Sequence, residues 1–554
     1  MSEAPSIPHP TLADGASLVD AAERLCERAL EKAREITDGG RAIDDYQVLV
    51  ERLAYAATEA RAARELLAYA ESLASQGRAD ATYELTAAAE AANLAGSVRD
   101  RIAWSLDDLE LGEDDLEQAF SAADRARVRR AAHESVYRAI GRHAIETRGV
   151  NDLPLDEMHE QVRASVREFA DGEVYPEAER IHRNDDLVPE SFIAKMSELG
   201  YFGMAIPEEY GGFEMGNLAM ILTTEELSRA SLAAAGSLIT RPEILTKALL
   251  QGGTEEQKQE WLPRLASGEI MVGVSVTEPD VGSDVASLKC RAERATVDGE
   301  EGWLINGPKS WCTFAGRANA LALLARTDPD LGKGQKGLSL FIVPKDSFDG
   351  HDFEMKQASG GRMVGKADAT PGYRGMHSFT LNLENYFVPA ANLVGLEQGE
   401  GRGFYLQMAG FAAGRLQTGG RACGLAQAAL EKTAEYVVDR NQFGRSIADF
   451  QLTQYTLGRM AARIAASRAI TYAAALAFDE DERAAGPLAA QAKLLTCDIA
   501  VEVTQQGQLM HGGWGYAEEY PISRYVVDAT VLPIFEGVKP ILELKVIGRA
   551  LLAA

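Results

Sequence analysis

From about residue 15 to residue 145, apolar side chains recur at three- and four-residue intervals, as in Leu49, Leu53, Ala56 and Ala60. That spacing lays an apolar stripe along one side of an α-helix, so the segment predicts helices packed on one another. Residues 152–270 repeat the pattern, broken by turn signals at Pro207-Glu-Glu-Tyr-Gly-Gly212 and Gly252-Gly-Thr-Glu-Glu256. Between 272 and 395 the period changes. Short apolar runs (Trp303–Ile305, Ala320–Leu324, Leu338–Val343, Ser378–Leu383) alternate with Gly, Pro, Asp and Asn clusters, which predicts antiparallel strands in a small barrel or sandwich. From about 403 the helical period returns. The chain therefore reads as mainly α with a central β domain. Its expected parts are an N-terminal helical extension (1–150), a helical domain (151–271), a β domain (272–398) and a C-terminal helical bundle (399–554).

The extension also carries a candidate internal repeat. Asp45-Tyr-Gln-Val through Arg64 aligns without gaps onto Asp449-Phe-Gln-Leu through Arg468, pairing Gln47 with Gln451 and Leu53 with Leu457. A partial duplication predicts that the extension is a degenerate copy of the C-terminal bundle.

Composition narrows the function. The 554 residues suffice for three or four folding units. Acidic residues outnumber basic ones by 83 to 56, a net charge of −27, which repels nucleic acid and anionic membranes. The five cysteines are scattered with no Cys-x-x-Cys pair, so neither a zinc site nor a disulfide framework is expected. No basic-plus-apolar leader is legible in residues 1–20 and no apolar run has membrane-spanning length, so a cytoplasmic location is expected.

Chemistry enters near the C-terminus, where Val531-Leu-Pro-Ile-Phe-Glu-Gly537 sets one carboxylate on an apolar segment. A carboxylate that loses solvation becomes more basic, enough to remove a weakly acidic proton alpha to a thioester carbonyl. Four further blocks accompany it. They are Val274-Ser-Val-Thr-Glu-Pro-Asp-Val-Gly-Ser-Asp284, Ile305-Asn-Gly-Pro-Lys-Ser-Trp-Cys-Thr313, Arg440-Asn-Gln-Phe-Gly-Arg445 with Gln451, and His511-Gly-Gly-Trp-Gly-Tyr-Ala-Glu-Glu-Tyr-Pro521. In this order, on helix–sheet–helix zones, they resemble the acyl-CoA dehydrogenase family over about residues 155–552.

The resemblance implies that family's fold, a helical domain, a β-barrel or sandwich and a helical bundle, with the extension outside it. It implies FAD as cofactor and α,β-dehydrogenation of an acyl-CoA, with Glu536 as the base and an electron-transferring flavoprotein as the acceptor. Thr277 and Ser283 match residues that hold the flavin ring and pyrophosphate, where a hydroxyl and backbone N–H groups suit close approach to oxygens. Trp311 and Thr313 match residues beside the flavin. Arg440, Phe443 and Gln451 match residues that reach the FAD of a neighbouring subunit, so a homodimer or homotetramer is implied. Gly512 and Gly513 would admit a backbone close to the cofactor. Ser283, Arg415, Phe535 and Gly537 match substrate contacts. Some relatives place the base just before the arginine at 415; here that residue is Gly414. Three departures stand out: Val538 replaces a threonine, Leu509 replaces a glutamine (with Gln508 one place earlier), and one extra residue precedes Arg549.

For the acyl group, the resemblance places the pocket-closing helix at Glu225–Gly236, continuing to Arg241. Arg241 is either a solvated surface cation or an anchor for the distal carboxylate of a dicarboxylic acyl chain. Glutaryl-CoA dehydrogenases carry their anchor where this chain has Ala235, which disfavours glutaryl chemistry. A short branched or dicarboxylic acyl-CoA is the expected substrate. Gln357–Ala369, longer than usual for the family, is expected as either a flexible basic loop over CoA phosphates or a hairpin insertion. Gly332-Lys-Gly-Gln-Lys-Gly337 spells a dinucleotide fingerprint but precedes a strand, so it is read as a turn. Two alternatives stay open: an oxidase passing electrons to oxygen, and a non-catalytic binding member of the family.

Overall fold

A computed structural model describes residues 9–553; the expectation about residues 1–8 lies outside these. The chain divides into two compact units. Residues 1–161 join 418–554 in one, and 162–417 form the other.

In the first unit the extension and the C-terminal bundle share one body. Leu12–Ile36 begins at a capping box in which Thr11 Oγ1 accepts from Asp14 N (3.2 Å) and Asp14 Oδ2 accepts from Thr11 N (3.0 Å). Gln47–Ser75 and Ala81–Ala103 pack on it. The core they form (Leu18, Leu25, Leu53, Leu109, Phe120) also takes in Leu544 and Leu552 from the far end of the chain.

The two segments aligned in sequence occupy equivalent settings. A three-residue 3₁₀ turn, Ile43–Asp45, leads through Tyr46 into Gln47–Ser75; another, Ile447–Asp449, leads through Phe450 into Gln451–Glu480. An aspartate then caps the next helix in each half: Asp80 before Ala81–Ala103, Asp481 before Glu482–His511. Each half ends in a segment containing Ile-Gly-Arg, at 140–142 and 547–549, and each is laid on the other half's long helix. Glu134–Glu146 crosses Gln451–Glu480 glycine to glycine. A Cβ on Gly141 would stand 1.7 Å from the Gln454 carbonyl oxygen, and one on Gly458 would stand 1.8 Å from that of Tyr137. Gly548 meets Gln47–Ser75, where a Cβ would stand 2.4 Å from Val50. The arrangement is a reciprocal exchange of terminal helices between two copies of one motif, which supports the duplication. The copies have diverged in detail. Arg64 pairs with Asp20 and Glu23, whereas Arg468 is buried against the Asn151 carbonyl.

The second unit is built on an eight-stranded sheet. Its order is Val272–Ser275, Ala320–Arg326, Arg291–Val297, Glu300–Thr313, Ser378–Pro389, Arg362–Ala367, Asp352–Lys356, with Leu338–Pro344 also paired to Ala320–Arg326. The sheet is mixed rather than antiparallel as expected, because Val272–Ser275 runs parallel to Ala320–Arg326. That strand is buried on both faces. Ala320, Ala322 and Leu324 meet a core with Leu245, Leu249 and Trp261 from helices, while Leu321, Leu323 and Ala325 meet Phe341, Phe379 and Leu381. Arg291–Val297, Asp352–Lys356 and Arg362–Ala367 escaped the sequence reading because each buries few positions. The last two make Gln357–Ala369 part of a hairpin at the sheet edge, not a flexible loop. Gly332–Gly337 lies in a 3₁₀ turn that runs into Leu338–Pro344.

Candidate active site

In the sheet unit, Thr277 follows strand Val272–Ser275, and its carbonyl accepts from Ser310 N at 2.8 Å. A bulge between Lys309 and Cys312 interrupts pairing with Ser378–Pro389 and puts Trp311 in the left-handed region, φ 58°. A bulge re-aims the side chain it carries. The Trp311 indole is accordingly 59 % exposed on a strand whose neighbours Ser310 and Cys312 are buried. Thr313 stands two residues on, its hydroxyl 3.0 Å from Ser378 Oγ. Beneath them lies a brace the sequence reading missed. Lys309 is fully buried and donates to the Val276 carbonyl (2.9 Å) and Glu278 Oε1 (3.2 Å). Glu278 in turn accepts from the backbone N–H groups of Lys289 (2.8 Å) and Cys290 (2.7 Å). This paired, saturated cluster clamps the two ends of the loop carrying the exposed Ser283.

The helix expected to reach Arg241 stops earlier. Gly216–Ala230 ends at Ser231, whose backbone turns extended (φ −155°, ψ 113°) and whose hydroxyl caps a π-turn at Leu232–Gly236. A Cβ on Gly236 would fall 1.8 Å from Ser228 Oγ, so the turn folds tightly back on the helix. Arg241 therefore lies off the helix and is 4 % exposed, which removes the solvated-surface alternative. It donates to the Ser237 carbonyl and the Thr240 hydroxyl, both at 3.1 Å. In the same unit Arg415 is half-buried. Asp185, His351 and His377 also converge, but Asp185 Oδ1 is already shared by His377 Nε2 (3.1 Å) and the Arg374 guanidinium (3.3 Å).

In the helical unit, Arg440 begins a short hairpin, Asn441–Gln442 paired with Arg445–Ser446. At its tip Phe443 sits at φ 52° and is 94 % exposed, while Arg445 stacks 3.9 Å over Phe450 and Gln451 is exposed at the start of the next helix. Arg440 also lines a cavity of about 580 Å³ with Tyr436, His511, Gly512, Gly513 and Trp514. A Cβ on Gly512 or Gly513 would meet nothing within 4 Å. His511 is buried on the cavity wall; Nδ1 bonds the Gly507 carbonyl at 2.7 Å, and Nε2 has no hydrogen-bond partner among the described residues. Burial holds its imidazole below the usual histidine range, so the ring is a neutral hydrogen-bonding group at neutral pH. An open glycine wall, an orphaned ring nitrogen, a nearby arginine and outward aromatics fit a large, flat, phosphate-bearing cofactor such as FAD. Leu509 also lines the cavity, and Gln508 does not stand in for the missing glutamine, because its amide donates to the Gly515 carbonyl (3.1 Å).

The same unit holds Glu536. Its backbone is left-handed (φ 54°) and Gly537 follows at φ 96°. A non-glycine residue held there costs about 1 kcal/mol or more, and such strain gathers at functional positions. The Gly537 carbonyl accepts from buried Lys493 at 2.8 Å. Phe535 stacks under Arg421, whose guanidinium carbon is 5.1 Å from the ring centre. Arg421 is fully buried, and none of its three guanidinium nitrogens has a hydrogen-bond partner among the described residues. Leaving a buried cation without partners costs several kcal/mol, a cost that an anion placed beside it would offset. The sequence reading missed Arg421, although a lone cation in Gly419-Gly420-Arg421-Ala422 on a long apolar helix was a legible signal.

Residues 156–269, 273–386 and 401–552 match, respectively, the N-terminal, middle and C-terminal domains described for acyl-CoA dehydrogenases. The chain is 36 % identical over 543 residues to the (2S)-methylsuccinyl-CoA dehydrogenase of Cereibacter sphaeroides, covering 95 % of each chain. That alignment is too long to leave out the extension. In fold, it resembles a chain in the structure of the electron transferring flavoprotein of Acidaminococcus fermentans (TM-score 0.65, 31 % identity, 73 % of this chain and 100 % of the other). It also resembles a glutaryl-CoA dehydrogenase from Mycobacterium smegmatis in complex with FADH2 (TM-score 0.60, 26 % identity, 72 % and 95 %).

Proposed function

The chain belongs to the acyl-CoA dehydrogenase family, FAD-dependent oxidoreductases acting on the CH–CH group of acyl-CoA thioesters, and from that premise we propose that it oxidises a short dicarboxylic acyl-CoA. The best candidate is (2S)-methylsuccinyl-CoA, giving mesaconyl-CoA, as in the ethylmalonyl-CoA pathway. The observation that carries this reading is Arg421, a buried guanidinium without hydrogen-bond partners stacked on the residue next to Glu536. A distal carboxylate answers that charge with paired hydrogen bonds. In a protein of net charge −27, an anionic acyl chain needs such a local cation. Arg241, buried and donating to a carbonyl and a hydroxyl, is the second candidate anchor.

Glu536 removes the α-proton, and its backbone N–H holds the thioester oxygen as negative charge develops there. Lys493 fixes the following carbonyl, so the acid does not drift from its left-handed position. Arg415, Ser283, Phe535 and Gly537 contact the thioester and its acyl chain. Bound FAD would supply the acceptor for the β-hydrogen and its electron pair. Thr277, Ser283, Trp311 and Thr313 would hold the flavin and pyrophosphate. Gly512 and Gly513 would admit the cofactor, and Arg440, Phe443 and Gln451 would reach that of a neighbouring copy. An electron-transferring flavoprotein is the acceptor this reading favours, since the Acidaminococcus likeness associates such a chain with that protein.

Anaerobic titration of the yellow protein, following the flavin band, tests the proposal. Methylsuccinyl-CoA is expected to bleach it, with butyryl-CoA and glutaryl-CoA inert. Bleaching by monocarboxylic thioesters alone would remove the carboxylate reading and leave the base assignment standing.

A further inference from the structure

The segment that carries Glu536 is closed on itself by one backbone hydrogen bond across the base, from Lys539 N to the Pro533 carbonyl at 3.0 Å. Two successive residues, Glu536 and Gly537, are left-handed, and no helical ladder runs through them. Contacts from outside the segment add to that single tie. Lys493 takes the Gly537 carbonyl. Three residues beyond Glu536, Lys539 donates to Asp498 Oδ2 at 2.6 Å. The same oxygen accepts from the hydroxyl of Tyr55 at 2.7 Å, and Tyr55 lies in the N-terminal extension, outside the matched family domains. Two cations lie over its ring, the Arg101 guanidinium carbon 4.1 Å and the Lys539 ammonium 5.0 Å from the ring centre. Arg101 is fixed by buried Glu59 (2.7 and 3.3 Å), which also accepts from Ser97 (2.9 Å). The chain of contacts runs unbroken from helix Ala81–Ala103, through Tyr55 and Asp498, to the base-bearing segment.

We propose that Tyr55 is a positioning residue for catalysis, by which the extension holds the Glu536–Lys539 segment through Asp498. The proposal rests on Glu536 being the base. A lone Lys539–Asp498 pair, about a third exposed on the lysine side, would be a weak tether between flexible partners. The tyrosine supplies a second, neutral donor to the same carboxylate oxygen and a face on which the ammonium rests. Burial and the Asp498 charge raise the Tyr55 hydroxyl well above its ordinary range, so it stays a donor wherever the enzyme works. The extension would thereby act on the chemistry as well as on packing.

The test is Tyr55→Phe, which deletes one oxygen and keeps the ring. Proton abstraction is read directly: with the flavin held reduced by dithionite, deuterium incorporation from D2O at the α-carbon is followed by mass spectrometry. The thioester is the one that bleaches the wild-type flavin. Exchange rate and kcat are expected to fall about fivefold to twentyfold with KM within about twofold, below the ~100-fold that a 1 Å misplacement can cost. Flavin content and unfolding midpoint should stay near wild type. Unchanged exchange would overturn the proposal. A double-mutant cycle with Lys539→Met separates positioning from general loosening: the two losses should not multiply, and multiplicative losses would overturn it too. Glu536→Gln is the control. If it keeps exchange, the base assignment fails and the proposal with it. If it abolishes exchange while Tyr55→Phe is silent, only the role of Tyr55 falls.

Discussion

Arg421 shows how one side chain can carry a functional argument. Its cation is buried without a hydrogen-bond partner among the described residues, a cost that the anionic acyl chain proposed above would relieve. Arg421→Met, close in volume and uncharged, is therefore expected to raise KM for methylsuccinyl-CoA about 100-fold, as loss of charge-assisted bonds would. The same variant should keep or raise the unfolding midpoint of the free protein. A fall in that midpoint with KM unchanged would make Arg421 a structural residue. Glu536, Trp311 and Phe443 share another residue-scale property: all three were singled out from sequence, and all three hold positive φ. Residue type was legible there, but the strained backbone that turns each side chain was not.

Among elements, the crossing of Glu134–Glu146 on Gln451–Glu480 is the tightest helix contact of the extension. Only glycine fits at Gly141 and Gly458, because a methyl group would overlap a backbone carbonyl that cannot yield without moving a helix. Gly141→Ala should destabilise the protein by roughly 1–3 kcal/mol or more, seen as a lower denaturation midpoint. A neutral result would mean the helices part freely. Near the Glu536 segment, burial pushes the Glu543 carboxyl up to about 7, with Glu51 and Asp498 adding to the rise and Lys539 and Arg101 opposing it. The unfolded chain gives up that proton near the ordinary value of 4.5, the folded chain only near 7. Stability is thus lost as pH rises through this window. Glu543→Gln should lessen the wild-type fall in unfolding midpoint between about pH 5 and about pH 8. An identical fall in both proteins would show that Glu543 does not titrate as described.

For the molecule as a whole, the extension belongs to the same body as the C-terminal bundle, and Leu544 and Leu552 are buried in its core. It covers the long helix of the bundle with its own terminal segment, as the bundle covers the long helix of the extension. Removing residues before about 150 would leave an apolar helical face with no cover, and large apolar faces seek partners. Light scattering should then report a larger assembly than the full chain forms; an equal subunit count would defeat this account. Among the described residues no helix is long and apolar enough to cross a membrane.

Sequence by itself determined the order of helical and sheet zones, the motif that carries Glu536 and the gapless alignment of residues 45–64 with 449–468. Each is written in local periodicity or in residue types at fixed spacing, which survive without knowledge of neighbours. Tertiary structure alone decided three things. It turned an expected helix at Arg241 into a buried turn, because Ser231 breaks the backbone and Gly236 packs on Ser228. It paired Val272–Ser275 in parallel, since strand direction depends on which distant strand is adjacent. And it brought Tyr55, 443 residues from Asp498 along the chain, within hydrogen-bond distance of it. No local pattern encodes such a meeting, because it follows from how the extension packs against the C-terminal helices.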